Sequence, residues 1–266
     1  MHNNLPDLYS LNPNQKIIHT PEGNLEGEAL DYIEAVSPMP NEADLVKKIQ
    51  SLLDQKTRNF YIENQLKVEV VYYCCGPSPF LYDLKSQNTK LYTQLCSNSD
   101  ITGIDLNRAF IDFNQTHFPE FNWRTHNAIS FKKPNQISIL NSSYHHIPDA
   151  KKQDFLSNIC YNLLDGGIVI MGENFLPKYQ SNEKNREVSV NRYYDELIES
   201  CCQILPNLPT NTRRTLQKSI LLVNQVRLED IHRHGEFKNH VWIFLDQLQK
   251  ANLKLEKIIR VQMGYS

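Results

Sequence analysis

The hydrophobic residues of this chain change their spacing from segment to segment, and the spacing predicts the elements. Between residues 41 and 56, Leu45, Ile49 and Leu53 recur at helical spacing, which predicts an amphipathic helix. The run LKVEVVYY at residues 66–73 is apolar at most positions. Such runs are typical of a strand that a parallel sheet buries on both faces.

Helices and strands then alternate as far as residue 175. The predicted helices are residues 79–96, 107–118 and 149–164, and the predicted strands are residues 100–105, 122–128, 136–143 and 168–175. Strands that alternate with helices through short turns form right-handed βαβ units. The expected fold class is therefore α/β, with a doubly wound and mostly parallel sheet.

The alternation ends after Pro177, and helices dominate the rest of the chain. The pattern predicts helices at residues 185–205, 211–233 and 238–252, followed by a last strand at residues 253–262. We expect four parts along the chain: an N-terminal arm and helix over residues 1–60, a sheet core over 61–179, a helical insertion or lid over 180–235, and a C-terminal helix and strand that return to the core over 236–266.

Composition excludes several classes of function. With 266 residues, 40% of them hydrophobic, and a net charge of −2, the chain is that of a globular protein with no electrostatic reason to bind nucleic acid. No apolar run reaches membrane-spanning length, and the six cysteines show no CxxC or zinc spacing. The N-terminus lacks the pattern of a signal peptide. These features predict a reduced cytoplasmic protein without a membrane partner, and they leave the oligomeric state open, a homodimer included.

Residues with chemical potential gather at the predicted strand ends. In an open α/β sheet, ligands bind beside the carboxyl ends of the strands. Those ends read YYCCGPSP, GIDLN, THNA, NSSYHHIPD and GENFLP. Asp105 ends the second of these strands, where a carboxylate either accepts the hydroxyls of a ribose or starts the following helix.

The loop at Gly76 is not a dinucleotide loop or a phosphate-binding P-loop. The GxGxxG pattern fails because Gly76 is its only glycine, and Asp105 follows after 29 residues instead of about 20. No GKS or GKT sequence follows the loop. A strand that leads into a glycine turn and a helix therefore needs another interpretation.

Taken in order, these strand ends resemble the motifs of class I S-adenosylmethionine-dependent methyltransferases. VVYYCCGPSPFL is similar to the first motif, and ITGIDLN to the second, which carries the ribose-binding acid. HNAISF resembles the segment that contacts the adenine, with Asn127 where an aspartate is usual. The longest match is SSYHHIPDAKKQDFLSNICYNLLDGGIVIMGEN, and the whole resemblance covers about residues 66–177.

The resemblance implies S-adenosylmethionine as cofactor and S-adenosylhomocysteine as product. The cofactor-binding residues it implies are Tyr73, Cys75, Gly76, Ser78, Asp105, Leu106, Asn127, Ala128, Asn141 and Ser142. The chain departs from the family at Tyr72, where a carboxylate commonly holds the cofactor's amine, and at Cys74 and Ser78, which replace glycines. Ser78 and Pro79 form a good helix start, so we expect the serine oxygen to cap the helix.

The segment NSSYHHIPD borders the expected position of the transferred methyl group. A histidine is suited to take a proton from the acceptor, which makes His145 or His146 the candidate base and Tyr144 a stacking or orienting group. A His-His pair after a strand also serves simply to cap a helix or line the sheet. Glu173 and Asn174 are expected either to anchor the substrate or to satisfy neighbouring backbone groups.

The predicted lid carries Arg192 and Tyr193, which would suit a small, polar or carboxylate-bearing acceptor. Residues of this kind at helical spacing are also common as surface charge and core aromatics. His232, His234 and Glu236 lack a helix-face pair of ligands, so no metal site is predicted.

The sequence thus predicts an enzyme that methylates an oxygen or nitrogen atom of a small-molecule acceptor. Two alternatives stay open. The missing carboxylate and glycines are compatible with an inactive methyltransferase-like module for binding or assembly. A protein or RNA methyltransferase would require a basic or long open groove, which the net charge of −2 does not favour.

Overall fold

The computed structural model describes residues 18–19, 25–26, 28–36, 39–179 and 182–260. Its strands are β1 (Ile18–His19), β2 (Leu25–Glu26), β3 (Val68–Tyr73), β4 (Ser99–Asp105), β5 (Asn122–Thr125), β6 (Asn135–Asn141) and β7 (Leu163–Gly172). Its helices are α1 (Ala29–Val36), α2 (Pro40–Asn64), α3 (Pro79–Gln87), α4 (Thr89–Asn98), α5 (Arg108–His117), α6 (Asp149–Asn162), α7 (Glu183–Ile204), α8 (Thr210–Ile231) and α9 (Val241–Lys250).

A five-stranded parallel sheet in the order β5-β4-β3-β6-β7 forms the centre of the molecule. The chain runs outward from β3 through β4 to β5, and then returns to the other side of β3 with β6 and β7. The carboxyl ends of β3 and β6 therefore lie side by side where the strand order reverses, which is the position where such sheets bind ligands. The predicted fold class is confirmed.

Helices cover both faces of the sheet, and the two tyrosines of β3 point to opposite faces. Tyr72 lies in the core between the sheet and α2, α3, α4 and α5, where its ring is 5.0 Å from that of Phe80. Tyr73 lies in the core between the sheet and α6 and α9, where Phe155 and Phe244 pack. This alternation follows from the two-residue repeat of a strand.

The segment after β7 forms a helical layer. Helices α7 and α8 pack on each other through Val190, Leu197 and Leu216, and α1 packs against α8. A buried ion pair between Arg186 of α7 and Asp230 of α8 fastens the two helices together. This layer lies over the carboxyl end of the sheet, because Leu176, just after β7, belongs to the same core.

Three expectations about the elements are wrong. The single helix expected over residues 79–96 is divided into α3 and α4, because the Asn88 side chain caps α4 by accepting from the Leu91 N–H at 3.1 Å. Strand β7 begins at Leu163 instead of after the DGG turn. Residues 253–260 form no strand, because their alternating apolar residues have no ladder partner in the described chain; residues 261–262 lie outside it.

Candidate active site

The loop after β3 takes a left-handed backbone path at every second residue. The φ angles are 47° at Cys74, 53° at Gly76 and 52° at Ser78. Glycine adopts this conformation freely, whereas other residues do so at a cost of about 1–3 kcal/mol. The loop therefore follows the path of a glycine-rich loop although two of its three left-handed residues carry side chains.

The expected serine cap of α3 is not formed. The left-handed conformation of Ser78 turns its buried hydroxyl away from the first turn, so the hydroxyl accepts no hydrogen bond from the α3 backbone. The prediction of a serine cap was wrong, because the residue before the first turn of a helix must have an extended backbone for its side chain to cap that turn. The Ser-Pro pair does precede the helix as expected.

Asp105 joins the end of β4 to this loop. Its Oδ2 accepts from the Gly76 N–H at 2.8 Å, and its Oδ1 accepts from the Asn107 N–H at 2.9 Å. Burial raises the pKa of Asp105, although the backbone donors oppose that shift. The carboxylate thus lies at the switch point with a fixed orientation, and Leu106 beside it is 45% exposed.

Two polar atoms at the end of β6 are buried without a hydrogen-bond partner in the described chain. They are Oδ1 of Asn141 and Oγ of Ser143. The Asn141 side chain also contacts the hydroxyl of Tyr72, whose pKa burial raises well above its usual range, so that Tyr72 stays neutral. Unpaired buried polar atoms are rare and destabilising. Their position beside β3 indicates a place for a ligand that presents hydrogen-bond donors.

The remaining residues of the expected cofactor site differ in their exposure. Asn127 is exposed and accepts from the Ile129 N–H at 2.9 Å, while Ala128 is buried beneath it. The Cys75 side chain and the Tyr73 ring are buried in the two cores, and the Tyr73 hydroxyl accepts from Asn162 at 3.1 Å. Only the backbone of these last two residues is available to a ligand in the crevice.

Beside this crevice, between the strand ends and the helical layer, lies a cavity of about 110 Å³. Its polar end is formed by Glu42, Ser142, His145, His146, Asn174, Glu236 and Lys238. Its apolar end is formed by residues of α1, α7 and α8 together with Met39, namely Val36, Leu197, Leu222, Val223 and Val226. Tyr32 of α1 lies between the crevice and the cavity. Burial raises the pKa of Tyr32, and the nearby charges of Glu42 at the cavity and Asp105 at the crevice raise it further.

His145 is held by a carboxylate that the next strand supplies. Its Nδ1 is hydrogen-bonded to Oε1 of Glu173, and both side chains are buried. Burial opposes the ionisation of Glu173, but the charge and hydrogen bond of His145, with the N–H of Asn174, hold the pKa of Glu173 below its usual range. Because a carboxylate accepts, Nδ1 carries the hydrogen, and Nε2 is left to act in the cavity.

Glu236, which follows α8, faces both histidines. Its Oε2 is 3.8 Å from Nε2 of His145, and its Oε1 is 3.7 Å from Nδ1 of His146. The three side chains place one ligand atom each within 4.8 Å of one another, which is a donor set suited to a metal ion where the sequence predicted none. The ammonium of Lys238 is paired with Glu236 at this point, so a lysine cation already occupies the carboxylate.

Glu42 of α2 is a further carboxylate at the cavity that sequence reasoning missed. It accepts from the Ser142 hydroxyl at 2.8 Å and from the Asn174 side chain at 3.0 Å. Burial raises its pKa, although these two hydrogen bonds oppose the shift. No local signal separates this residue from the other acidic residues near the start of a helix.

The structure does not bring all the expected acceptor residues together. His145, His146, Asn174 and Tyr193 line the cavity. The Tyr144 ring packs in the core, with its hydroxyl donating to Gln247 at 2.7 Å, and only its backbone N–H contacts Glu173. Arg192 is 69% exposed and pairs with Glu196 on the surface of α7, so it does not face the cavity.

No protein-family model and no curated protein matches the chain, but solved structures match it. The plantazolicin methyltransferase BpumL, in complex with a monoazolic desmethylPZN analog and SAH, matches with a TM-score of 0.47 and 12% identity over 81% of this chain and 67% of its own. Streptomyces venezuelae DesVI matches with a TM-score of 0.41 and 14% identity over 58% and 60%. SAM-bound CalS10, an amino pentose methyltransferase from Micromonospora echinaspora, matches with a TM-score of 0.37 and 10% identity over 48% of this chain and 52% of its own.

The parallel sheet, its strand order and its helices on both faces decide the fold. It is a Rossmann-like, doubly wound α/β fold, and it resembles the fold of class I methyltransferases. The chain spans 52% of the CalS10 structure, so the resemblance does not extend over that whole protein. Among the residues that the structure describes, no helix has both the length and the apolar character of a membrane span.

Within this fold, Tyr72 is one of the buried positions at which the chain departs from the motifs that its sequence resembles. Tyr72 offers a neutral hydroxyl where a carboxylate is usual, and it pairs in the sheet with Gly103 on one side and Ile139 on the other. The Asn141 side chain that contacts this hydroxyl carries Oδ1, which has no hydrogen-bond partner in the described chain.

Proposed function

We propose that the protein transfers a methyl group from S-adenosylmethionine to an oxygen or nitrogen atom of a small-molecule acceptor held in the cavity. One observation carries this proposal: the switch-point crevice contains unpaired buried polar atoms and lies beside a cavity that a histidine lines. A crevice for the cofactor and a neighbouring cavity for the acceptor are the two compartments that such a transfer needs.

The residues of the crevice fit the cofactor's groups. Each carboxylate oxygen of Asp105 accepts from one backbone N–H, that of Gly76 or Asn107, and so keeps further lone pairs. Those lone pairs are placed to accept hydrogen bonds from the hydroxyls of a ribose. Oδ1 of Asn141 is placed to accept from an ammonium group, and would so replace the carboxylate missing at Tyr72. S-adenosylmethionine supplies a methyl group that its sulfonium activates for displacement.

The residues of the cavity fit the handling of a nucleophile. Glu173 fixes Nδ1 of His145 as a donor, which leaves the Nε2 lone pair to take the acceptor's proton. Helices α1, α7 and α8 line one side of the cavity with apolar side chains, and a less polar surrounding strengthens the electrostatic interactions beside it. His146, whose Nδ1 is 3.1 Å from the Gly235 carbonyl, forms the neighbouring wall.

Titration calorimetry with S-adenosylmethionine and S-adenosylhomocysteine tests the proposal. We expect both to bind the full chain, and we expect Asn141→Ala to weaken both without unfolding the protein. Asn122→Ala, an exposed residue on β5, is the matched control and should leave both affinities unchanged. If the folded protein binds neither compound, the proposal is wrong.

The inactive module remains the second candidate, because a neutral tyrosine stands where the family has its carboxylate. Slow turnover of bound cofactor in the presence of an acceptor would argue against it. The small volume of the cavity, about 110 Å³, supports a small acceptor over a protein or RNA, which would need a long groove. The cytoplasmic location and a homodimer stay predictions.

A further inference from the structure

The polar end of the cavity presents hydrogen-bond acceptors to whatever lies in it. Nε2 of His145 and Oε2 of Glu236 are 3.8 Å apart, which is too far for a hydrogen bond between them. With Nδ1 of His145 donating to Glu173, Nε2 of the neutral ring is an acceptor, and a carboxylate accepts through several lone pairs. A group that lies between these two atoms therefore needs to donate to both.

The protein's own donors at this end are directed at carboxylates. Ser142 and Asn174 donate to Glu42, and Lys238 donates to Glu236 and to the Tyr194 hydroxyl. A ligand that brings acceptor atoms would thus compete with these carboxylates for each donor.

The opposite end of the cavity is apolar. Val36 and Met39 from the N-terminal side face Leu197 of α7 and Val223 of α8. These side chains leave room for a compact hydrocarbon body and offer it no polar partner. The cavity is therefore matched to a small amphipathic molecule with its polar group at the histidine.

We propose that the acceptor is a small primary amine with an apolar body, methylated on its nitrogen. An amino group has two or three hydrogens, so it can donate to His145 and Glu236 together, whereas a hydroxyl has one hydrogen and satisfies one of them. Two carboxylates, those of Glu42 and Glu236, line the cavity, and Glu236 also accepts from Lys238. This inference rests on the proposed methyl transfer, and it replaces the expectation of a carboxylate-bearing acceptor, since Arg192 lies on the surface.

The step balances in atoms and charge. The ammonium first gives one proton to Nε2 of His145, which frees the nitrogen lone pair. That pair forms the new N–C bond while the S–C bond breaks and its electrons stay on sulfur. The product leaves as a methylated ammonium ion, and His145 returns its proton to solvent.

Binding of three isosteric compounds tests the inference without turnover. The full chain, with and without S-adenosylhomocysteine, is titrated with 3-methylbutylamine, 3-methylbutan-1-ol and 4-methylpentanoate. We expect the Kd of the amine to be about tenfold or more below that of the alcohol. A charge-assisted hydrogen bond is roughly twice as strong as a neutral one, and this difference in strength corresponds to about that difference in affinity. We expect the carboxylate not to bind.

Two variants show where the preference arises. Glu236→Gln should reduce the amine's advantage over the alcohol, while Glu187→Gln, an exposed residue on α7, should leave it unchanged. Equal affinity for amine and alcohol, preference for the carboxylate, or binding of none of the three overturns the inference. Separate titration with S-adenosylmethionine distinguishes this outcome from failure of the proposed function, because cofactor binding does not depend on the acceptor.

Discussion

The backbone N–H of Gly76 donates to Oδ2 of Asp105 over 2.8 Å, and this contact joins the loop after β3 to the end of β4. The carboxylate therefore holds the loop in its left-handed path as well as facing the crevice. Asn114 of α5 holds the same loop from the other side by donating to the Gly76 carbonyl at 2.7 Å. The loop is thus fixed by neighbouring elements more than by its own glycine content.

Replacement of this carboxylate should weaken cofactor binding and also lower stability, because both of its oxygens accept from backbone N–H groups. We predict that Asp105→Asn raises the Kd for S-adenosylmethionine about 10- to 100-fold, because a charged hydrogen-bond acceptor is lost while the side chain keeps its shape. Titration calorimetry measures the change, and thermal melting checks the fold. Asp100→Asn, a 48% exposed residue on the same strand, is the control and should change neither quantity. An unchanged Kd in Asp105→Asn would remove this residue from the site.

The strain in the loop predicts opposite effects for two substitutions at one position. Because Cys74 has a φ of 47°, we expect Cys74→Gly to keep or raise the free energy of unfolding, by up to about 1 kcal/mol. Cys74→Val should lower it by about 2 kcal/mol, since β-branched residues are the least suited to this conformation. Urea denaturation of both variants measures the difference. Equal destabilisation by the two substitutions would mean that packing, and not backbone strain, dominates at this residue.

The sequence allowed the parallel sheet, its strand ends and the position of His145 to be predicted, because these depend on local periodicity. It gave no access to Glu42 or Glu236, which reach the cavity from outside the matched motifs. Long-range packing decides that Tyr144 turns into the core, and that Arg192 stays on the surface. The last strand was wrongly predicted because strand formation depends on a pairing edge, which alternation alone does not reveal.

The contact between Glu173 and His145 should fix the tautomer of the histidine ring. We predict that Glu173→Gln changes the ¹⁵N chemical shifts of the His145 ring, because an amide can donate as well as accept and no longer fixes the hydrogen on Nδ1 as a carboxylate does. If an acceptor is supplied, kcat should fall about 10²- to 10⁴-fold while the Kd for S-adenosylmethionine stays the same. Glu187→Gln is the exposed control. Unchanged ring shifts would show that Glu173 does not set the state of His145.

Lys152 should make stability depend on pH in the alkaline range. Burial lowers its pKa from the ordinary 10.5 to about 7, and its ammonium donates to Asp149 at 2.8 Å. Between these two values the unfolded chain binds a proton that the folded chain releases, so this group makes stability rise with pH, by at most about 1.4 kcal/mol per unit. Below pH 7 the cost of burying the charged ammonium is fully present and lowers the free energy of unfolding.

The variant Lys152→Met has no such titration. We predict that, from pH 7 to pH 10, the free energy of unfolding of the unsubstituted protein rises relative to that of Lys152→Met. Urea denaturation at pH 6, 8 and 10 measures it. Lys151→Met, an exposed neighbour on α6, should give a difference that does not change with pH. Parallel profiles for Lys152→Met and the unsubstituted protein would contradict a lowered pKa.

Glu42 should oppose stability while it supports binding. Burial raises the pKa of Glu42 above the ordinary 4.5. Between pH 4.5 and the folded pKa, the folded chain therefore holds a proton that the unfolded chain has lost. In that range the free energy of unfolding falls as pH rises. Glu42→Gln cannot ionise, and it should therefore be more stable than the unsubstituted protein at pH 7, with the gain disappearing below pH 4.5.

The same substitution should weaken binding of 3-methylbutylamine, because one of the carboxylates around the amine position becomes neutral. Thermal melting at pH 4 and pH 7, together with calorimetric titration of the amine, measures both effects in one variant. Glu63→Gln, exposed near the end of the same helix, should change neither. A gain in stability without a loss of amine affinity would place Glu42 outside the binding site, whereas a loss of both would mean that its hydrogen bonds to Ser142 and Asn174 outweigh the cost of burying its charge.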